Sequence, residues 1–195
     1  AGGIARNSLS SVKLVFNDDA IVTPEDVTNS IHADYDWLAR TSLVVAEDTS
    51  NRGGGKCYEF EQLEVLKDTC GKNGLAFHLD GARAFNAIVK KNHDMASYGQ
   101  LFDSISICLS KGLGAPVGSL LLGGSSFIKE ARRRRKGMGG GMRQAGYLAM
   151  AGIYALENNL GRLKEDHDLA TELVETLKQC GSVMNVIEPE TNILI

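Results

Sequence analysis

Asp80 and Lys111 are the two ionisable residues whose settings could do chemistry. Asp80, in Asp80-Gly81-Ala82-Arg83, follows the apolar run Leu75-Ala76-Phe77-His78-Leu79; Lys111, in Leu109-Ser110-Lys111-Gly112-Leu113-Gly114, follows a second apolar run over 104–109. A carboxylate and an amine just past two strands of one open α/β sheet stand where such sheets bind their ligands. Together they could hold a pyridoxal phosphate ring. Lysine supplies the primary amine that forms a Schiff base with the ring aldehyde, and a buried carboxylate facing the pyridine nitrogen keeps it protonated, so that the ring works as an electron sink. Gly112 and Gly114 bound the lysine turn and let a ring approach the backbone. Arg83 falls on the same side as Asp80 if a helical turn starts there, and its guanidinium either clamps a substrate carboxylate with two parallel hydrogen bonds or forms a surface ion pair. Taken singly, an Asp-Gly after a strand is commonly a turn, and a lysine beside glycine is commonly solvated. The placement of both at strand ends is what favours chemistry.

The elements that must position these residues are legible in the apolar spacing. A short strand is expected over 12–16. Thr23 as cap, Pro24 at the first helical position, and Glu25 and Asp26 in the first turn start a helix that should run towards Arg40. Leu43-Val44-Val45-Ala46 reads as a strand buried on both faces, opening into the polar loop Glu47-Asp48-Thr49-Ser50-Asn51, then Arg52 and three glycines. Phe60, Leu63, Leu66 and Cys70 have helical spacing, closed by Gly71 or Gly74. Beyond Lys111 the turn is too short for a parallel crossover, so the strand over 119–123 should return antiparallel. A basic helix over 125–136, an alanine-rich buried helix over 142–159 and an amphipathic helix over 160–180 follow. The order predicts an α/β fold: a mostly parallel sheet with helices on both faces and one antiparallel strand after the lysine. A composition shift near Gly181 divides the chain into a large domain, 1–181, and the start of a small one, 182–195.

The 195 residues suit one large domain or two small ones, and 43% hydrophobic with 23% charged residues is ordinary for a chain that buries a core. The formal charge of −3 argues against a general nucleic-acid binder. Arg132-Arg133-Arg134-Arg135-Lys136 does not reverse this, because on a helix these charges spread around the cylinder and suit its C-terminal end. No apolar run reaches the length of a membrane span and no secretion signal is visible. The four cysteines, Cys57, Cys70, Cys108 and Cys180, form no CxxC pair; they are expected to be reduced and buried, which fits a cytoplasmic protein. His32, His78, His93 and His167 lack zinc-ligand spacing, so no metal is expected.

The wording of the segments goes further than their spacing. His78-Leu79-Asp80-Gly81-Ala82-Arg83 with Phe85-Asn86-Ala87, and Cys108 through Ser119 around Lys111, resemble the low-specificity threonine aldolases. Gly139-Gly140-Gly141-Met142-Arg143-Gln144-Ala145-Gly146 and Arg162-Leu163-Lys164-Glu165-Asp166-His167 match two further motifs of that family, in the same order along nearly the whole chain. The resemblance implies a fold type I pyridoxal phosphate lyase, a homo-oligomer (dimer or tetramer) with sites at subunit interfaces, cleaving threonine or allo-threonine to glycine and acetaldehyde. It implies Lys111 as the Schiff-base lysine, Asp80 as partner of the pyridine nitrogen, Arg83 on the substrate carboxylate or ring hydroxyl, and Arg143 on the phosphate. A β-eliminating lyase of the same fold would use the same Lys111 and Asp80, and a degenerate non-catalytic homologue is a third reading.

One loop departs from the pattern. Where the family usually reads Glu-Asn-Thr-His-Asn, this chain has Glu47-Asp48-Thr49-Ser50-Asn51. Serine hydrogen-bonds a hydroxyl but needs an activating partner to act as a base near neutral pH, so Ser50 is expected either to hold substrate or a water, or only to shape the loop. The family's upstream phosphate loop and ring-stacking histidine, and its downstream carboxylate-binding arginine, are expected to lie outside the present sequence, which reads as a piece of a longer polypeptide. A protein of these 195 residues alone is therefore expected to bind the cofactor weakly or not at all. Purification with pyridoxal phosphate checks this, since a yellow product with a Schiff-base absorbance band would contradict it.

Overall fold

Alternation along the central strands decides which side chains face the core. The computed structural model describes residues 2–18, 20–180 and 186–195. In chain order the elements are α1 (Gly2–Ser8), α2 (Pro24–Ser30), β1 (Leu43–Glu47), α3 (Phe60–Lys72), β2 (Ala76–Gly81), α4 (Ala84–Lys91), α5 (Met95–Gly99), β3 (Ser104–Cys108), β4 (Ser119–Gly123), α6 (Ser125–Gly137), α7 (Gly146–Asn158) and α8 (Leu163–Gln179). The strands lie in the order β1-β2-β3-β4; β1, β2 and β3 are mutually parallel and β4 returns antiparallel to β3, as the short turn after Lys111 requires.

Phe77 and Leu79 of β2 are 2% and 0% exposed, and Ile105 and Ile107 of β3 are buried with them. Leu63, Leu66 and Cys70 of α3 and Ile88 of α4 close this core from the same side of the sheet. Period-two alternation then turns His78 and Asp80 to the opposite face. There the register lines up Val45, His78 and Ser104 in one row and Glu47, Asp80 and Ser106 in the next. α6 approaches that second face: Gly123 is in register with Ser104, and a side chain on Gly123 would meet Phe127 Cδ1 at 2.7 Å. A smaller core of Leu109, Leu113, Ala115, Ala155 and Leu163 joins the segment after β3 to α7 and α8.

Several boundaries and burials differ from expectation. Residues 12–16 form no strand. The helix begun by the Thr23–Asp26 capping box ends at Ser30 rather than near Arg40. Ile31 turns extended, and His32 folds the chain back, its N–H donating to Thr41 Oγ1 at 3.1 Å and its Nδ1 lying 2.8 Å from Ala39 O. In β1 only Ala46 is fully buried, while Leu43 and Val45 are 50% and 47% exposed, because alternation turns them to the second face of the sheet with His78. α7 starts at Gly146, not residue 142, and buries only Gly152 and Ala155, since one narrow stripe meets Leu109 and its neighbours. Of the cysteines, Cys57 and Cys70 are buried, but Cys108 is half-buried on the second sheet face and Cys180 is exposed. The expected domain boundary at Gly181 and the first residues beyond it lie outside the described residues.

Gly81 ends β2 packed tightly against β3 and the start of α4. A Cβ there would lie 2.8 Å from the carbonyl oxygen of Ser106 and 3.0 Å from Ala84 Cβ. Gly81→Ala must spread β2 from β3 and is expected to cost about 1–3 kcal/mol, the usual scale of overpacking. The urea unfolding midpoint measures this, and an unchanged midpoint would contradict it.

Candidate active site

The site is assembled at the carboxyl ends of β1, β2 and β3. Asp80 is half-buried, and its Oδ1 accepts the N–H of Ala82 at 3.2 Å, which aims the carboxyl over the turn into α4. Glu47 stands beside it in register. Burial raises the Glu47 pKa; the Asn51 N–H pulls it down, Asp80 pushes it up, and Arg83 and Lys111 draw it down again. One acid therefore feels the charges of all three sequence-predicted residues Asp80, Arg83 and Lys111. Two residues upstream on the same face, His78 Nδ1 lies 2.8 Å from Ser104 Oγ, and burial lowers the His78 pKa despite the nearby Asp80 charge, favouring the neutral ring.

Arg83 is half-buried at the N-cap position of α4. Lys111 is exposed on the turn after β3, whose shape is set by Gly114 N–H donating to Lys111 O at 2.8 Å and Ala115 N–H donating to Leu109 O at 3.0 Å. Arg143 is exposed on the segment between α6 and α7 and is not among the groups acting on Glu47. Ser50 is only 1% exposed. Its hydroxyl accepts the Gly53 N–H at 3.2 Å, while its backbone N–H donates to Lys56 O and its carbonyl accepts from Gly55 N–H, both at 2.8 Å. Of the two expectations for Ser50, this geometry favours the one in which it shapes the loop.

A charged layer beneath that loop escaped sequence reasoning. Asp48 is 0% exposed; Tyr98 donates its hydroxyl to Asp48 Oδ2 at 2.8 Å, and Oδ1 has no partner. Burial raises its pKa to about 7, against the lowering effect of hydrogen bonds from Tyr98 and the Tyr58 backbone. Lys91 Nζ bridges Glu59 at 2.6 Å and Glu190 at 2.7 Å. Glu190 Oε2 accepts the Cys57 N–H at 3.2 Å, and Thr191 donates its hydroxyl to Gly55 O at 2.8 Å, so residues 190 and 191 clasp the loop from the far end of the chain. The available signal was local: alternation from buried Ala46 puts residue 48 on the core side, where the resembled family has asparagine.

An acid and a lysine at the carboxyl ends of neighbouring strands stand where α/β domains bind their ligands. The comparisons place the chain more narrowly. Over 176 residues the chain is 46% identical to the low specificity L-threonine aldolase of Escherichia coli K12, covering 90% of this chain and 51% of that protein. It is 44% identical to the Saccharomyces cerevisiae low specificity L-threonine aldolase over 93% of this chain and 47% of the relative. The solved threonine aldolase of Leishmania major superposes with a TM-score of 0.83 at 22% identity, covering 99% of this chain and 57% of that one, a likeness of fold. The chain thus spans about half the length of these curated relatives. The beta-eliminating lyase family model matches residues 1–195, and the chain belongs to that family.

Asp48 sets a pH dependence. Its carboxyl titrates near the ordinary 3.8 when unfolded and near about 7 in the fold. Between those values the folded form holds more protons, so stability falls as pH rises from about 4 to about 7 and levels off above, by on the order of 4 kcal/mol. Asp48→Asn removes the buried charge. The variant should be more stable than the parent at about pH 8, with the gap narrowing towards about pH 4, as read from urea midpoints; parallel pH profiles would contradict this.

Proposed function

We propose that the protein is a pyridoxal 5'-phosphate-dependent carbon–carbon lyase that cleaves threonine, allo-threonine and related β-hydroxy-α-amino acids to glycine and an aldehyde. The carrying observation is the placement of Asp80, Arg83 and Lys111 at or just beyond the carboxyl ends of the neighbouring strands β2 and β3, with Glu47 in register beside Asp80, in a chain of this family. The donor set suits the cofactor. Asp80 points from the open face with one oxygen held by Ala82, and Lys111 stands exposed on a turn whose next residue carries no side chain. When bound, the cofactor supplies a conjugated cationic ring that takes up the electron pair left at Cα as the Cα–Cβ bond breaks.

The remaining work falls to the chain itself. Lys111 offers the amine that binds the aldehyde carbon, and Asp80 holds a proton on the pyridine nitrogen. Arg83 binds the substrate carboxylate or the ring hydroxyl, and Arg143 assists at the phosphate. Glu47 ends β1 just before the loop that carries Ser50. Ser50, occupied with Gly53, holds that loop beside the substrate, leaving the hydroxyl proton of the substrate to a base or water elsewhere.

The same reading has residues 1–181 as the large cofactor-binding domain and 182–195 as the start of a smaller one. It makes the working protein a cytoplasmic homo-oligomer, a dimer or tetramer, acting on a small amino acid without nucleic acid or membrane. The exposed Tyr147, Met150, Ile153 and Tyr154 of α7 support an assembly. Among the described residues no helix is long and apolar enough to cross a membrane.

Borohydride reduction of the cofactor-loaded full-length chain should leave a pyridoxyl adduct that mass spectrometry maps to Lys111, and Lys111→Ala should lose both adduct and glycine formation. Asp80→Ala, which keeps the amine, should lose on the order of 10²–10³-fold in turnover, the scale for removing a group that stabilises developing charge. Ammonia and a keto acid as products in place of glycine and an aldehyde would replace the aldolase reading with a β-eliminating one.

A further inference from the structure

His167 and Asn86 are buried polar residues that the proposed reaction does not use, at 5% and 3% exposure. His167, in the body of α8, places Nε2 3.0 Å from Asn86 Oδ1 on α4, across 81 residues of sequence. Asn86 Oδ1 can only accept, so Nε2–H donates to it; burial, then the Lys90 charge, lowers the His167 pKa against Asp166 and Asp168, which favours the neutral ring. The bond joins the two helices that meet behind the catalytic lysine. Asn86 lies in the first turn of α4, its N–H donating to Arg83 O at 2.8 Å, so it belongs to the segment that leaves Asp80. On the other side, Gly112, next to Lys111, is seated on α8 and α4. A Cβ there would lie 2.8 Å from Leu163 Cδ2, 3.7 Å from Asp166 Oδ2 and 3.9 Å from Asn86 Nδ2. A third helix steadies the turn where Asn159, capping α7, donates its side-chain N–H to Leu113 O at 2.7 Å.

We propose that the Asn86–His167 hydrogen bond is a positioning device for the reaction: it locks α8 to α4 so that the Lys111–Gly112 turn is presented at a set distance from Asp80 and Arg83. Neither residue touches the ligand; both act through the backbone that carries Lys111. The inference deepens the functional reading above and rests on Lys111 as the Schiff-base lysine. A broken bond leaves a buried carbonyl without a donor and lets the turn shift, which changes the environment of the Lys111 nitrogen.

The test uses the cofactor-loaded full-length chain and three versions: parent, His167→Leu, which removes the donor, and His167→Gln, whose amide N–H reaches to the place of Nε2. The readout is the pH at which the visible band of the lysine-bound cofactor changes, together with kcat and KM. His167→Leu should move that midpoint by half a unit or more and lower kcat about tenfold with KM within about threefold of the parent, and His167→Gln should restore both. A folded His167→Leu with the parent's midpoint and kcat overturns the proposal, as does a His167→Gln no better than leucine. If His167→Leu does not fold, Asn86→Ser, which withdraws the acceptor, is judged by the same midpoint and kcat. Borohydride mapping on the parent separates the two levels: no adduct on Lys111 removes the functional reading and this inference with it, whereas an adduct on Lys111 with an unmoved midpoint in the variants removes the inference alone.

Discussion

Burial of Phe77 and Leu79 on one face of β2 is the constraint on which the site depends. Each side chain is worth about 1.5–3 kcal/mol when taken out of water, and both are essentially unexposed. A slip of one residue would expose both and drive His78 and Asp80 into the apolar core. Asp80 therefore faces the open side of the sheet because its neighbours must face the other way. The parallel register carries the same decision to β1 and β3, which is why Glu47 and Ser106 flank it. The tight fit around Gly81 holds the strand ends level where the carboxyl emerges.

Lys111 is placed by different means. It follows the sheet rather than belonging to it, and its turn is anchored by Leu109, Leu113 and Ala115 in the second core, shared with α7 and α8. α4 is the element common to both arrangements: it starts at the end of the Asp80 segment and packs on α8 behind the lysine turn. The acid and the amine thus belong to two packed units, and the distance between them is set where α4 meets α8.

The loop beyond β1 is gripped from below and above. Tyr98 and the Tyr58 backbone hold the buried Asp48 under it, and Thr191 and Glu190 fasten Gly55 and Cys57 from the chain's other end. Keeping a carboxyl in so dry a place weakens the fold at neutral pH. Within the loop held this way, the Ser50 hydroxyl serves the Gly53 N–H. Where the resembled family places a histidine, the chain has a residue that braces the loop.

Much of the fold and half of the site were legible locally. Apolar period and turn length were enough for the three parallel strands, the antiparallel return of β4 and the amphipathic α3 and α8, and cap chemistry for the helix start at Thr23, because each follows from neighbours a few residues away. They also put Arg83 and Lys111 past strand ends, whereas Asp80, expected just past its strand, is the last residue but one of β2. The strand expected at 12–16, the longer α2 and the fully buried α7 failed because apolar spacing reports what a segment could bury, not whether a partner surface arrives. Asp48 with Tyr98, Asn86 with His167 and Gly55 with Thr191 are bonded across 50, 81 and 136 residues, and such pairs leave no periodic trace. By itself, then, the sequence determined which segments form the strands and that the last returns antiparallel, since apolar runs and turn length are local properties of the chain. Only the tertiary structure decided how Glu47 senses three charges, why Ser50 is occupied and what seats Lys111, since those depend on surfaces that meet only after the chain has folded.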